Sequence, residues 1–128
     1  MIEFAHEKMK VYKAAVEFVE LAETIVAAFP RGRAYLADQL RRSAASVVLN
    51  IAEGAGEFRP LEKARFYRTS LRSTTESAAV IDVCERVGAI DRGMSAAGRT
   101  MLDAIVGMLT KLIAKMEERA REGEGERI

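Results

Sequence analysis

Five cations fall between positions 59 and 72 of this chain: Arg59, Lys63, Arg65, Arg68 and Arg72. On a helix, Arg65, Arg68 and Arg72 stand at i, i+3 and i+7 and face one way. Guanidinium forks hold phosphate oxygens in pairs, and aromatic neighbours such as Phe58 and Tyr67 can stack on unpaired bases. The chemistry this row suits is contact with an RNA or DNA backbone. The competing reading is a solvated face partly neutralised by Glu62 and Glu76. A second basic pair, Arg41-Arg42, lies upstream on a short apolar stretch that also carries Asn50 and Glu53. Residues 31–72 hold nine Arg and Lys against four Asp and Glu, whereas the segments on either side are each net −2. The formal charge of +1 therefore hides a local basic surface.

Asn50 and Glu53 are three residues apart and share a helix face. Polar groups set among apolar ones need partners, so they are expected to form a structural polar cluster, bonded to a helix end or an arginine at an interhelix or subunit contact. In the competing reading Arg41 and Arg42 bind a ligand of the assembly, and they are counted here with the nucleic-acid-binding set.

No other cluster assembles a reaction. Glu3-x-x-His6 is half of the motif from which di-iron bundle sites are built, but such a site needs a second copy, and His6 is the only histidine. No metal ligand set and no cofactor are expected. Cys84 lies on an apolar row, where a thiol behaves as a small inert hydrophobe. Gly54-Ala55-Gly56 lacks the Lys-Ser/Thr of a phosphate loop and follows a helix, so it reads as a turn. The catalytic set is empty, and the chain is expected not to be an enzyme.

The elements that must position these residues are helical throughout. Val11, Ala15, Phe18, Ala22, Ile25 and Phe29 repeat at four and three, the seam of a bundle helix running from about Glu7 to Phe29. Tyr12, Val16, Val19 and Val26 add a second apolar row, wider than one bundle interface needs. Pro30 stops this helix, and Arg31-Gly32-Arg33 is too short for anything but an antiparallel neighbour. Leu36, Leu40, Ser43, Val47 and Ile51 line the second helix, from about Ala34 to Glu53, with Gly54 expected to end it in the left-handed conformation. Pro60 suits the first position of a third helix, Leu61 to Val87, with Gly88 beyond it. Asp91 or Ser95 can cap a fourth, which carries Leu102, Ile105, Leu109, Leu112 and Met116 and runs to about Arg119. The fold class is all-α, an antiparallel up-down-up-down four-helix bundle over residues 1–120. Residues 121–128 are expected to form a charged, frayed tail.

At 128 residues the chain is one domain with room for a real core. One cysteine excludes an internal disulfide and suits a reducing compartment. No apolar run approaches the roughly 20 residues of a membrane span, and the first residues lack the features of a signal peptide. The expectation is a cytoplasmic protein with no membrane association.

The stretch from Leu40 to Gly54, Leu-Arg-Arg-Ser-Ala-x-Ser-x-x-x-Asn-Ile-Ala-Glu-Gly, resembles the signature of the 23S rRNA intervening-sequence family of bacterial four-helix-bundle proteins. That family includes the accessory protein of diversity-generating retroelements. Arg65-Phe66-Tyr67, Ser73 and Glu76 supply a second match, and the similarity runs from about Met9 to Ile90. Arg72 stands where the family usually has glycine, and Glu57 where a basic residue commonly follows the turn. The resemblance implies a homo-oligomeric ring, a pentamer being known in the family. It also implies association with RNA or DNA and a partner protein such as a reverse transcriptase. The leading expectation is thus a non-enzymatic accessory protein that binds nucleic acid. The alternative is a purely structural oligomeric scaffold for protein–protein interaction.

Overall fold

The computed structural model describes the backbone of residues 1–127 and the side chains through residue 124. Four helices follow one another: α1 Lys10–Ala27, α2 Ala34–Ala55, α3 Pro60–Arg86 and α4 Arg92–Arg127. Each packs on its chain neighbours and α1 closes against α4, so the four stand at the corners of a square around one core. The α2–α3 and α3–α4 pairs are the most intimate, and α1 lies more lightly on α2 and α4. This is the expected antiparallel bundle.

The core follows the seams predicted from spacing on α1, α2 and α4, with Ile81 added from α3. Phe18, Ile25, Leu40, Val47, Ile51, Ile81, Leu102, Ile105 and Leu109 are all sealed from solvent. Tyr12, Val19 and Val26 of the second α1 row are half-buried against it. Cys84 is fully buried, and burial holds its thiol above the ordinary value.

Three boundaries differ from expectation. Helix α1 starts at Lys10 because residues 4–9 are held in turns by the Glu7 N–H to Phe4 and Met9 N–H to His6 carbonyl bonds. There the His6 ring stacks on Phe4 and lies 4.5 Å from Tyr12. Gly54 does not end α2 in the left-handed region; the helix continues to Ala55 and caps at Gly56 with φ −80°. What requires glycine at 54 is the neighbouring helix, because a Cβ there would stand 2.6 Å from Cε1 of the buried Tyr67. Helix α4 continues past Arg119 to Arg127. Its last turns are rich in Glu, Arg and Ala, good helix formers that outweigh the roughly 1 kcal/mol cost of each glycine. Ile128 lies outside the described residues. Elsewhere the signals hold: Gly88 adopts φ +77° after α3, and the Asp91 carboxylate accepts from the Met94 N–H at 2.8 Å, making Asp91 and not Ser95 the cap of α4.

Candidate nucleic-acid interface

The seam between α2 and α3 decides which way the two basic stretches point. Ser70 Oγ donates to the Val47 carbonyl at 2.8 Å, Ser77 Oγ donates to Ser43 Oγ at 2.8 Å, and the Ser46 and Ser73 hydroxyls lie 2.7 Å apart. Hydroxyl-bearing and small side chains let the two backbones approach. They also satisfy one another, as buried polar atoms must. With Ser70, Ser73 and Ser77 facing α2, the opposite side of α3 is left to Leu61, Arg65, Arg68, Arg72, Thr75, Ala79 and Val83, all exposed.

The expected row is therefore real, but its members are not equally free. Arg65 pairs with Glu62 at 3.2 Å and lies over the Phe66 ring, 5.1 Å from its centroid. Arg68 reaches across to Glu117 of α4 at 3.3 Å. Both pairs are solvent-exposed, the kind whose net worth is small and which a phosphate can displace. Arg72 has no carboxylate partner among the described residues. Arg59, the residue before Pro60, is exposed beside the α3 N-terminus.

Lys63 is turned away from the row. Its Nζ donates to the Gly54 and Ala55 carbonyls at 3.3 and 2.8 Å, tying down the C-terminal end of α2. Burial, then repulsion from Arg119, lowers its pKa, with Glu57 pulling the other way. That repulsion brings in Arg119 of α4, a residue outside the row predicted from spacing. Arg119 and Arg59 line one cleft of about 350 Å³ together with Pro60, Leu61, Ala120, Gly123 and Glu124. The signal that could have found it is its place three residues after the seam residue Met116, at the level where α3 begins.

Arg41 does not join this surface. Its guanidinium grips Glu23 of α1 through Nε and Nη2 at 3.1 to 3.3 Å. The α1–α2 edge is on the opposite side of the square from the α3–α4 edge where Arg68 sits, so no single flat ligand covers both. Arg42 is exposed on the outer face of α2, with Asp38, Ala45, Leu49 and Glu53. The polar cluster also divides. Asn50 Nδ2 donates to the Ser46 carbonyl at 2.9 Å and to Ser46 Oγ at 3.1 Å, extending the hydroxyl seam. Glu53 shares no bond with Asn50 and lies exposed beside a surface cleft. Asn50 therefore bonds at i, i−4 to a serine, where the spacing predicts a helix end or an arginine as its partner.

The remaining candidates make local contacts near the N-terminus. Glu3 pairs with Lys8 at 3.5 Å and His6 is occupied by its ring contacts. Among the described residues no three His, Cys, Asp or Glu side chains gather in a metal-binding arrangement, and no helix is long and apolar enough to cross a membrane.

A four-helix bundle with a serine-lined α2–α3 seam and an arginine-bearing outer face defines the class. The profile of the 23S rRNA-intervening sequence protein family matches residues 7–111, and the chain belongs to that family. No individual curated protein matches the chain significantly.

Proposed function

We propose that this chain is a non-enzymatic, self-associating accessory protein that binds the phosphate backbone of RNA or DNA through the outer face of α3, and that it docks a partner enzyme such as a reverse transcriptase. The observation that carries this reading is the exposed row Arg65, Arg68 and Arg72, extended at one end by Arg59 from the α2–α3 connection and Arg119 from α4. Guanidinium groups spaced one helical turn apart suit successive phosphates and carry no base information, so binding is expected to be indifferent to sequence. Each subunit offers only a few contacts. Repetition of the row in a homo-oligomer supplies the avidity that a chain of net charge +1 lacks. Exposed Phe4 and Leu49, away from the arginine row, support the self-association.

The test is fluorescence anisotropy with a structured RNA and a DNA duplex, titrated from about 50 mM salt upward, where a phosphate-neutralising protein must lose affinity steeply. The triple variant Arg65→Gln/Arg68→Gln/Arg72→Gln should fold and assemble as the wild type and lose binding. Wild-type protein that ignores both ligands at the lowest salt refutes the reading. In that case the engagement of Arg65 and Arg68 with Glu62 and Glu117 favours the second function, an oligomeric scaffold for another protein.

A further inference from the structure

Two clefts at one end of the bundle carry apolar surface rimmed by charge of a single sign. The first is an open groove of about 350 Å³ between the start of α1 and α4. Met9, Met108 and Leu112 form its floor, half-buried, and exposed Lys10, Lys111 and Lys115 form its rim. No carboxylate lines it. The second, of about 560 Å³, lies between the N-terminal turns and the outer face of α2. Its apolar part is Phe4, Leu49 and Ala52, with Phe4 and Leu49 61% and 62% exposed. Its charged lining is Glu53 and Glu57, and no lysine or arginine contributes.

The groove floor is only half-buried against the core, and neither charged rim forms an ion pair among the described residues. Leu49 is outside the core, Glu53 is exposed without a partner among the described residues, and Lys111 and Lys115 make no ion pair among them. They also share a level along the bundle axis: Phe4 to His6 lie only a few residues before Met9, where α1 begins. We infer that the acidic patch on α2 of one copy docks in the lysine-rimmed groove between α1 and α4 of the next. Leu49 and Phe4 meet Met108 and Leu112, while Glu53 and Glu57 face Lys111 and Lys115. The apolar area supplies the attraction and the charges set which face meets which, since opposite potentials orient the encounter and like potentials suppress wrong ones. Because each copy offers one patch and one groove, the contact is heterologous. The outer face of α3 takes no part and remains open.

This inference rests on the self-association proposed above and names its faces. The experiment is light scattering behind size exclusion at fixed micromolar concentration, with melting curves to confirm the fold. Wild type should elute at a mass several times 14.1 kDa. The groove variant Lys111→Glu/Lys115→Glu and the patch variant Glu53→Lys/Glu57→Lys should each fall to about the monomer mass. The chain carrying all four reversals should return to the wild-type mass, because patch and groove are again opposite in sign. Leu49→Asp, at an exposed position that cannot disturb the core, should also dissociate the assembly. A wild-type monomer overturns both the self-association and this contact. A wild-type oligomer that persists in the groove variant, the patch variant and Leu49→Asp overturns the contact alone.

Discussion

Replacing Gly54 by alanine sets two effects of opposite sign against each other. Within a helix, alanine is better than glycine by roughly 0.5–1 kcal/mol, from reduced backbone entropy. At this position the new Cβ would meet Tyr67 Cε1 at 2.6 Å, Tyr67 Cδ1 at 2.9 Å and Phe66 Cβ at 3.1 Å. The Tyr67 ring is 2% exposed and has no free space to swing into, and Phe66 Cβ is tied to the α3 backbone. Relief therefore requires α2 and α3 to separate, against the serine bonds that hold them. Overpacking of this kind costs about 1–3 kcal/mol. The net expectation is a loss of about 1–2 kcal/mol, a fall in Tm of roughly 4–8 °C for a chain of this size. Gly107 is the control. It lies mid-helix on α4 with nothing within 4 Å of an added Cβ, so Gly107→Ala should gain about 1 kcal/mol. Thermal and urea melts followed by circular dichroism, at one protein concentration so that assembly contributes equally, measure both. A Gly54→Ala variant as stable as wild type would refute the close approach of Tyr67 to α2.

Ser70→Ala should cost about 1 kcal/mol in the same melts, since it removes the buried bond to the Val47 carbonyl without adding bulk. Above roughly pH 9, stability should fall as pH rises. Burial raises the pKa of Tyr67 and of Cys84, so the unfolded chain releases protons that the folded chain keeps. Lys63, whose pKa is lowered, acts in the opposite direction but is only partly buried, and Tyr67→Phe should flatten the slope seen in urea melts across that range. Truncation after Arg119 removes Glu124 from the cleft that Arg59 and Arg119 share, and should tighten nucleic-acid binding in the anisotropy titration; weaker binding would show that the end of α4 adds contacts instead of masking them.

Spacing alone located the bundle because the seams of α1, α2 and α4 repeat at three-four intervals, apolar at every position but Ser43. Phe18, Leu40, Ile51 and Leu109 sit where the period puts them. It also placed Arg65, Arg68 and Arg72 on one outward face, since three residues on one helix need no tertiary information. What the sequence hid depends on contacts between helices. Gly54 resembles a helix end, and only the Tyr67 ring reveals it as a close approach. Lys63 belongs to the basic row by number, yet its flexible stem carries the ammonium back to the carbonyl end of α2. Arg41 and Arg42 are adjacent in the chain, but a 100° step between consecutive residues sends one to Glu23 and the other to solvent. Arg119 enters the site from more than forty positions away, which no local pattern records.

The serine bonds between α2 and α3 have a mechanical consequence. Apolar ridges tolerate small sliding, because one methyl contact replaces another at similar energy. A bond such as Ser70 to the Val47 carbonyl has a direction and a length, and the Ser43–Ser77 and Ser46–Ser73 pairs repeat it at neighbouring turns. Displacing α3 along α2 breaks all of them together, and the next position that brings serine near serine is a whole turn away, about 5.4 Å. The pair thus behaves as a keyed shaft with discrete settings. The arginines on the far side of α3 and the outer face of α2 keep a fixed offset, so a load placed on one is delivered to the other as rigid displacement.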